Sequence, residues 1–190
     1  FNLHGSLLPQ YRGAAPINWA LINGDKETGV TTFMLKHEID TGNIIMQEST
    51  PIDENENVGT VYDRLMQIGQ TLVTRTVDRI IESENTNTPL PTIPQTETTE
   101  LRPAPKLFKD TCEIHFDQMT ATQVKNFVRG LSPYPAAWCN ITIAEQPFEN
   151  VKIHSSSGIR SSISTSPLTV AISVLLSSPN LSAIAIASVL

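Results

Sequence analysis

From Asn57 to Ser83 apolar residues recur at three- and four-residue intervals, through Val58, Val61, Leu65, Ile68, Leu72, Val73, Val77 and Ile80. That spacing predicts one long amphipathic helix, and a single apolar stripe of this length needs a sheet to cover it. The β-rich runs Gly29 to Leu35 and Asn43 to Gln47 predict two strands, joined by a polar stretch containing Asp40-Thr41-Gly42. A shorter helix is expected over Ala14 to Asn23, with Pro16 in its first turn and Gly24 ending it.

Beyond Glu84 the text turns rich in Thr, Pro, Asn and Glu, with prolines at 89, 91, 94, 103 and 105, so no regular element can persist to Lys109. It reads as an extended linker. A short strand over Cys112 to Phe116 is expected next. A helix follows, opened by Thr120 with Gln123 three residues on as a capping box, and then a strand around Trp138 to Ile143.

From Ser155 onward the chain holds twelve serines, no aromatic residue and a single charge, Arg160. Leu168 to Leu190 carries no charge, but Ser177, Ser178, Pro179 and Asn180 at its middle argue against a membrane span. The expected organisation is a first domain over 1–88, a linker over 89–109, a partial second domain over 110–154 and an atypical tail over 155–190. The tail has the character of a shifted reading frame or a disordered segment.

Charge divides unevenly: residues 1–101 carry −8 and residues 102–190 carry +2, within a net charge of −6. The balance as a whole is not that of a nucleic-acid binder. The basic residues of the second half, Lys106, Lys109, Lys125, Arg129 and Lys152, are nevertheless available to phosphates. The two cysteines, Cys112 and Cys139, read as reduced thiols in a cytosolic protein. His37, His115 and His154 lack ligand spacing, so no metal is expected.

The opening residues carry the chemistry. Asn2 and His4 alternate with Phe1 and Leu3, which in an extended segment places an amide donor and an imidazole on one face. An amide can donate to a developing oxyanion, and an imidazole can move a proton or stabilise the same charge. Asp40, before Gly42, reads equally as a turn-forming carboxylate, and Arg12 as a loop clamp or a ligand contact.

The run Asn2-Leu3-His4-Gly5-Ser6-Leu7-Leu8-Pro9-Gln10-Tyr11-Arg12-Gly13-Ala14-Ala15-Pro16 resembles the signature of the folate-dependent formyltransferases. The likeness continues through Ile39-Asp40-Thr41-Gly42, Ala104-Pro105-Lys106-Leu107 and Leu131-Ser132-Pro133-Tyr134-Pro135-Ala136, covering about residues 1 to 150. Within that family it is most similar to the members acting on methionyl-tRNA. Sugar-nucleotide members that modify an aminoarabinose donor come next. Glycinamide ribonucleotide members are less similar, since they carry Pro where this chain has Gly5.

The resemblance implies an α/β fold: the C-terminal portion of a Rossmann-like formyltransferase domain, followed by the start of a small barrel-like C-terminal domain. It implies Asn2, His4 and Asp40 as catalytic residues and Ser6, Leu7, Leu8 and Pro9 as the loop lining the folate site. It further implies 10-formyltetrahydrofolate as formyl donor, initiator methionyl-tRNA as acceptor, and a monomeric cytoplasmic enzyme with no metal and no membrane. Against the family pattern, the chain opens at Phe1 without the Rossmann-like half and departs from the pattern near His154. It is therefore expected to be an incomplete piece, poorly soluble, inactive and without saturable folate binding. The helix stripe would be left exposed and the first strand would keep an unpaired edge.

Overall fold

A computed structural model describes residues 1–96, 100–143 and 146–155, together with the backbone of two further short strands, Thr169–Ile172 and Ala185–Ser188. The chain forms two compact units, one of Phe1–Ala20 with Asp25–Leu107, the other of Leu21–Gly24 with Phe108–Leu190.

The first unit is a three-stranded antiparallel sheet in the order β1-β2-β3, made of β1 (Asn2–His4), β2 (Glu27–Phe33) and β3 (Ile44–Pro51). The short helix α1 (Pro16–Ile22) begins at its proline, as a residue without an N–H can, and Gly24 follows it at φ 76°. The long helix α2 (Val58–Thr86) starts where the Asn57 side chain accepts the Thr60 N–H, 3.0 Å. It runs three residues past the expected end because Asn87, in the left-handed conformation, closes it by donating to Glu84 O.

The stripe of α2 is not left bare. Val58, Val61, Leu65 and Leu72 are buried, and the helix lies on β2 and β3. Each such side chain contributes roughly 1.5–3 kcal/mol by leaving water. Within this layer Thr76 and Thr32 share a hydrogen bond of 2.8 Å, and Thr76 Oγ1 also reaches Leu72 O, so the buried hydroxyls are satisfied. Tyr62, Met66, Val77 and Ile81 remain exposed, Val77 being the one member of the expected stripe among them. β1 ends the sheet order, so its outer edge has no strand partner among the described residues.

The segment after α2 is extended, as its prolines require, but it does not hang free. Ile93 exchanges both backbone hydrogen bonds with Ile44 at 2.8 Å. Farther on, Tyr11 N donates to Arg102 O, Ala104 N to Arg12 O, and Ala14 N to Ala104 O, all at 2.7–2.9 Å. The described residues of this segment, 87–96 and 100–107, thus belong to the first unit as a strap, and Trp19 Nε1 donates to Pro105 O at 2.8 Å within it.

In the second unit, α3 (Ala121–Leu131) opens with the full capping box between Thr120 and Gln123 and buries Val124, Phe127, Val128 and Leu131. β4 (Ala137–Ile143) pairs antiparallel with β5 (Gln146–Ile153), and β6 (Thr169–Ile172) with β7 (Ala185–Ser188). Among the described residues these are two separate two-stranded ladders and not a closed barrel. The expected strand over Cys112 to Phe116 is replaced by a 3₁₀ turn at Asp110–Cys112 and a single bridge from Glu113 to Trp138. Cys112 and Ile114 alternate into the core as a strand would, but only one hydrogen bond, Ile114 N to Trp138 O, anchors them. Trp138 Nε1 in turn donates to Lys109 O, and the Lys109 ammonium sits 5.4 Å from the ring centre.

Arg129 is not available to phosphates: it is buried, with Nε on Asn126 Oδ1 at 2.9 Å. Both cysteines are buried free thiols, and burial pushes the Cys139 pKa up to about 11. The expected tail falls mostly outside the described residues; β6 and β7 lie within it.

Candidate active site

β1 delivers His4 into the interior of the first unit while leaving Asn2, two residues earlier on the same strand, exposed. The imidazole stands edge-on to Phe33, with ring centres 6.4 Å apart. His4 Nε2 lies 2.8 Å from Tyr11 O. A carbonyl can only accept, so Nε2 carries a proton and the ring turns its other nitrogen, Nδ1, to Asp40. Asp40 Oδ2 is 3.7 Å from that nitrogen. Both side chains are largely shielded from water, which strengthens whatever charge passes between them.

Asp40 reaches this position from the loop between β2 and β3, at φ 55°. The left-handed conformation is tolerated by Asp better than by most residues, yet it is costly, and three contacts hold it. Gly13 N–H donates to Asp40 Oδ2 at 3.0 Å, and Gln95 Nε2 donates to Asp40 O at 2.8 Å and to Gly42 O at 2.7 Å. Gly42 has to be glycine, since a Cβ there would run into the Met34 carbonyl. Leu35 and Ile39, on the same loop, are exposed apolar side chains.

Of the expected catalytic residues, the fold brings His4 and Asp40 together. Asn2 makes no hydrogen bond to either among the described residues. Its Oδ1 accepts the Leu3 N–H at 2.9 Å, which leaves the amide nitrogen as the end able to donate outward.

The expected folate loop is held by an internal network. Ser6 Oγ donates to Gln10 O, Thr31 Oγ1 donates to Ser6 O, and Thr31 Oγ1 accepts from Leu8 N and Gln47 Nε2. Gln47 also donates to Leu8 O at 2.8 Å. Ser6 and Leu8 are therefore buried supports, Leu8 packing with Phe33 and Ile44. Leu7 and Pro9 are the half-exposed members of the loop.

Arg12, which the sequence left between two roles, spends Nε and Nη2 on Gln95 Oε1 at 3.1 and 2.8 Å. Sequence reading missed Gly13, Thr31, Gln47 and Gln95. Gly13 stands inside the run that carried the family likeness and Thr31 and Gln47 inside the predicted strands, whereas Gln95 stood in an apparent spacer. Among the described residues no cluster of three or more His, Cys, Asp or Glu side chains could share a metal ion, and no helix is long and apolar enough to cross a membrane.

Residues 1–77 match the family described as formyl transferase, and residues 106–174 match its C-terminal domain. The chain belongs to the formyltransferase family. The second match runs twenty residues past His154, farther than the resemblance read from the sequence. A methionyl-tRNA formyltransferase of Phocaeicola vulgatus is 55% identical over 154 residues, 81% of this chain and 47% of the relative. The chain thus spans about half the length of the curated relatives it matches. The fold is shared with a 4-N formyltransferase from Francisella tularensis, at TM-score 0.63 and 24% identity over 81% of this chain and 61% of the other. An N-formyltransferase from Helicobacter canadensis, solved with folinic acid and dTDP-3-aminofucose, is 27% identical at TM-score 0.54 over 68% of this chain and 46% of that one.

Proposed function

We propose that the His4–Asp40 pair, with Asn2 beside it, is the formyl-transfer site of an enzyme that formylates the amino group of methionyl initiator tRNA from 10-formyltetrahydrofolate. The observation that carries this reading is the 3.7 Å approach of Asp40 Oδ2 to Nδ1 of a buried His4 whose other nitrogen is held by Tyr11 O. The 55% identity to a methionyl-tRNA formyltransferase favours the tRNA acceptor. The likeness to an N-formyltransferase solved with dTDP-3-aminofucose keeps an amino-sugar nucleotide, of which an aminoarabinose donor is one, as the alternative acceptor.

The acceptor amine attacks the formyl carbon and a C–N bond forms. The carbonyl oxygen becomes an oxyanion, to which the Asn2 amide donates. The amine proton passes to His4 Nδ1, where the imidazolium is charge-paired with Asp40, and it returns to N10 as the bond to tetrahydrofolate breaks. Tyr11 O fixes the ring throughout through the Nε2 proton. Leu7 and Pro9 offer the half-exposed surface for the folate. In this reading the first unit is the C-terminal part of a Rossmann-like domain and the second the start of a barrel-like one. The enzyme is monomeric and cytoplasmic and takes no metal.

The test is a formylation assay in a protein of the relatives' length carrying these residues, comparing methionyl-tRNA with an aminoarabinose nucleotide. His4→Ala should lower the turnover number by about 10²–10⁴-fold, and Asn2→Ala by a comparable factor, with folate affinity changing far less. Undiminished turnover in both variants refutes the assigned roles.

A further inference from the structure

We infer that Gln95 is a positioning residue for formyl transfer, holding the turn that aims Asp40 at His4; the inference rests on the site reading above. Gln95 is the point where three segments meet. Its amide nitrogen spans two carbonyls of one turn, Asp40 O at 2.8 Å and Gly42 O at 2.7 Å, while its oxygen takes Arg12 Nε and Nη2.

Chemistry fixes which way the amide faces. A guanidinium can only donate, so Oε1 must turn to Arg12 and the two N–H groups must turn to the two carbonyls. No other neutral side chain of this size offers two donors and an acceptor in one plane. Arg12 thereby sets the orientation of Gln95, and Gln95 sets the turn. The turn needs a clamp because Asp40 sits at φ 55° and its carboxylate is aimed from there. On the far side Gly13 N–H holds Oδ2 itself, so backbone and side chain of Asp40 are each fixed, by different segments. A carboxylate released from either hold would lose its register with His4 Nδ1, and displacements of about 1 Å in such a site cost on the order of 100-fold in rate.

Two substitutions separate clamping from bulk. Gln95→Glu keeps the shape and the bond to Arg12 but turns an oxygen toward the two carbonyls; Gln95→Ala removes both contacts. In a protein of the relatives' length, each should lower kcat by about 10- to 100-fold with the KM for the formyl donor within about twofold. Protonating the new carboxyl restores one donor, so the Gln95→Glu rate relative to wild type should rise as pH falls toward about 4–5. Gln95→Ala should show no such recovery. The 190-residue chain supplies the stability control, in which Gln95→Glu should melt within a few degrees of wild type. Turnover within twofold of wild type in both variants overturns the inference, as do equal losses without the acid recovery. Asp40→Asn, assayed beside them, separates the two failures. If it too keeps full turnover, the site reading falls and the clamp with it; if it is crippled while the Gln95 variants are not, the clamp alone falls.

Discussion

Residues 5–15 and the described residues of the stretch 88–107 both lack regular structure, yet they present opposite faces to a reader of the sequence. The first is a run of small and apolar residues around Pro9, Tyr11 and Arg12 that resembles a catalytic loop; the second is a Thr- and Pro-rich stretch that resembles a spacer. In the fold they are the two sides of one short ladder, Tyr11 to Arg102 and Arg12 with Ala14 to Ala104. Prolines exclude a helix or a continuous strand by removing their own N–H, but they leave every carbonyl and the remaining N–H groups free to bind a neighbouring segment. A spacer composition therefore says how a segment is shaped and not whether it is attached.

If the two segments are one working unit, damage at their junction must reach both stability and catalysis. Gly13→Ala is the severest break: at φ 125° its new Cβ would sit 2.5 Å from Ala104 O, and the same residue's N–H holds Asp40. A loss of about 2–3 kcal/mol in denaturant titration is expected, accompanied by a fall in turnover. Loss of stability with catalysis untouched would separate the ladder from the site.

Arg102→Ala is a milder probe. The guanidinium forks onto Asp25 at 2.7 and 3.0 Å and lies 4.7 Å from the centre of the Tyr11 ring, and the Asp25 hydrogen bond raises its pKa. Its side chain is 44% exposed, so solvent screening limits the effect to about 1 kcal/mol. A silent substitution would mean the backbone ladder alone secures the strap.

The smallest expected effect lies in the other unit and serves as its contrast. With its pKa raised from 9.0 to about 11 by burial, the folded Cys139 keeps its proton where the unfolded thiol would lose it. Its contribution to stability is whole below about pH 9 and lost as pH rises toward 11. At neutral pH Cys139 should react with thiol reagents only as fast as the unit opens, and rapid labelling of the native protein would contradict its burial.

Much of this arrangement was legible. The 3.6-residue period marked α2, and Thr120 with Gln123 marked the start of α3 to the residue. His4 and Asp40 were named together only through the family likeness, since thirty-five intervening residues leave no periodic trace of their meeting. The strap was legible as extended but not as attached, because isolated backbone bridges at Ile93, Arg102 and Ala104 impose no side-chain pattern. The strand expected over Cys112 to Phe116 does not form although Cys112 and Ile114 are buried alternately, since alternation records which face is inside and not whether a neighbour pairs.

The two tryptophans give these comparisons an optical handle. Trp19 is anchored to Pro105 O in the first unit and Trp138 to Lys109 O in the second, one indole to each. A variant retaining only one of them would emit from a single unit, so fluorescence during unfolding would time the loss of each anchor separately. Coincident curves would mark one cooperative molecule, and displaced curves two that melt in turn.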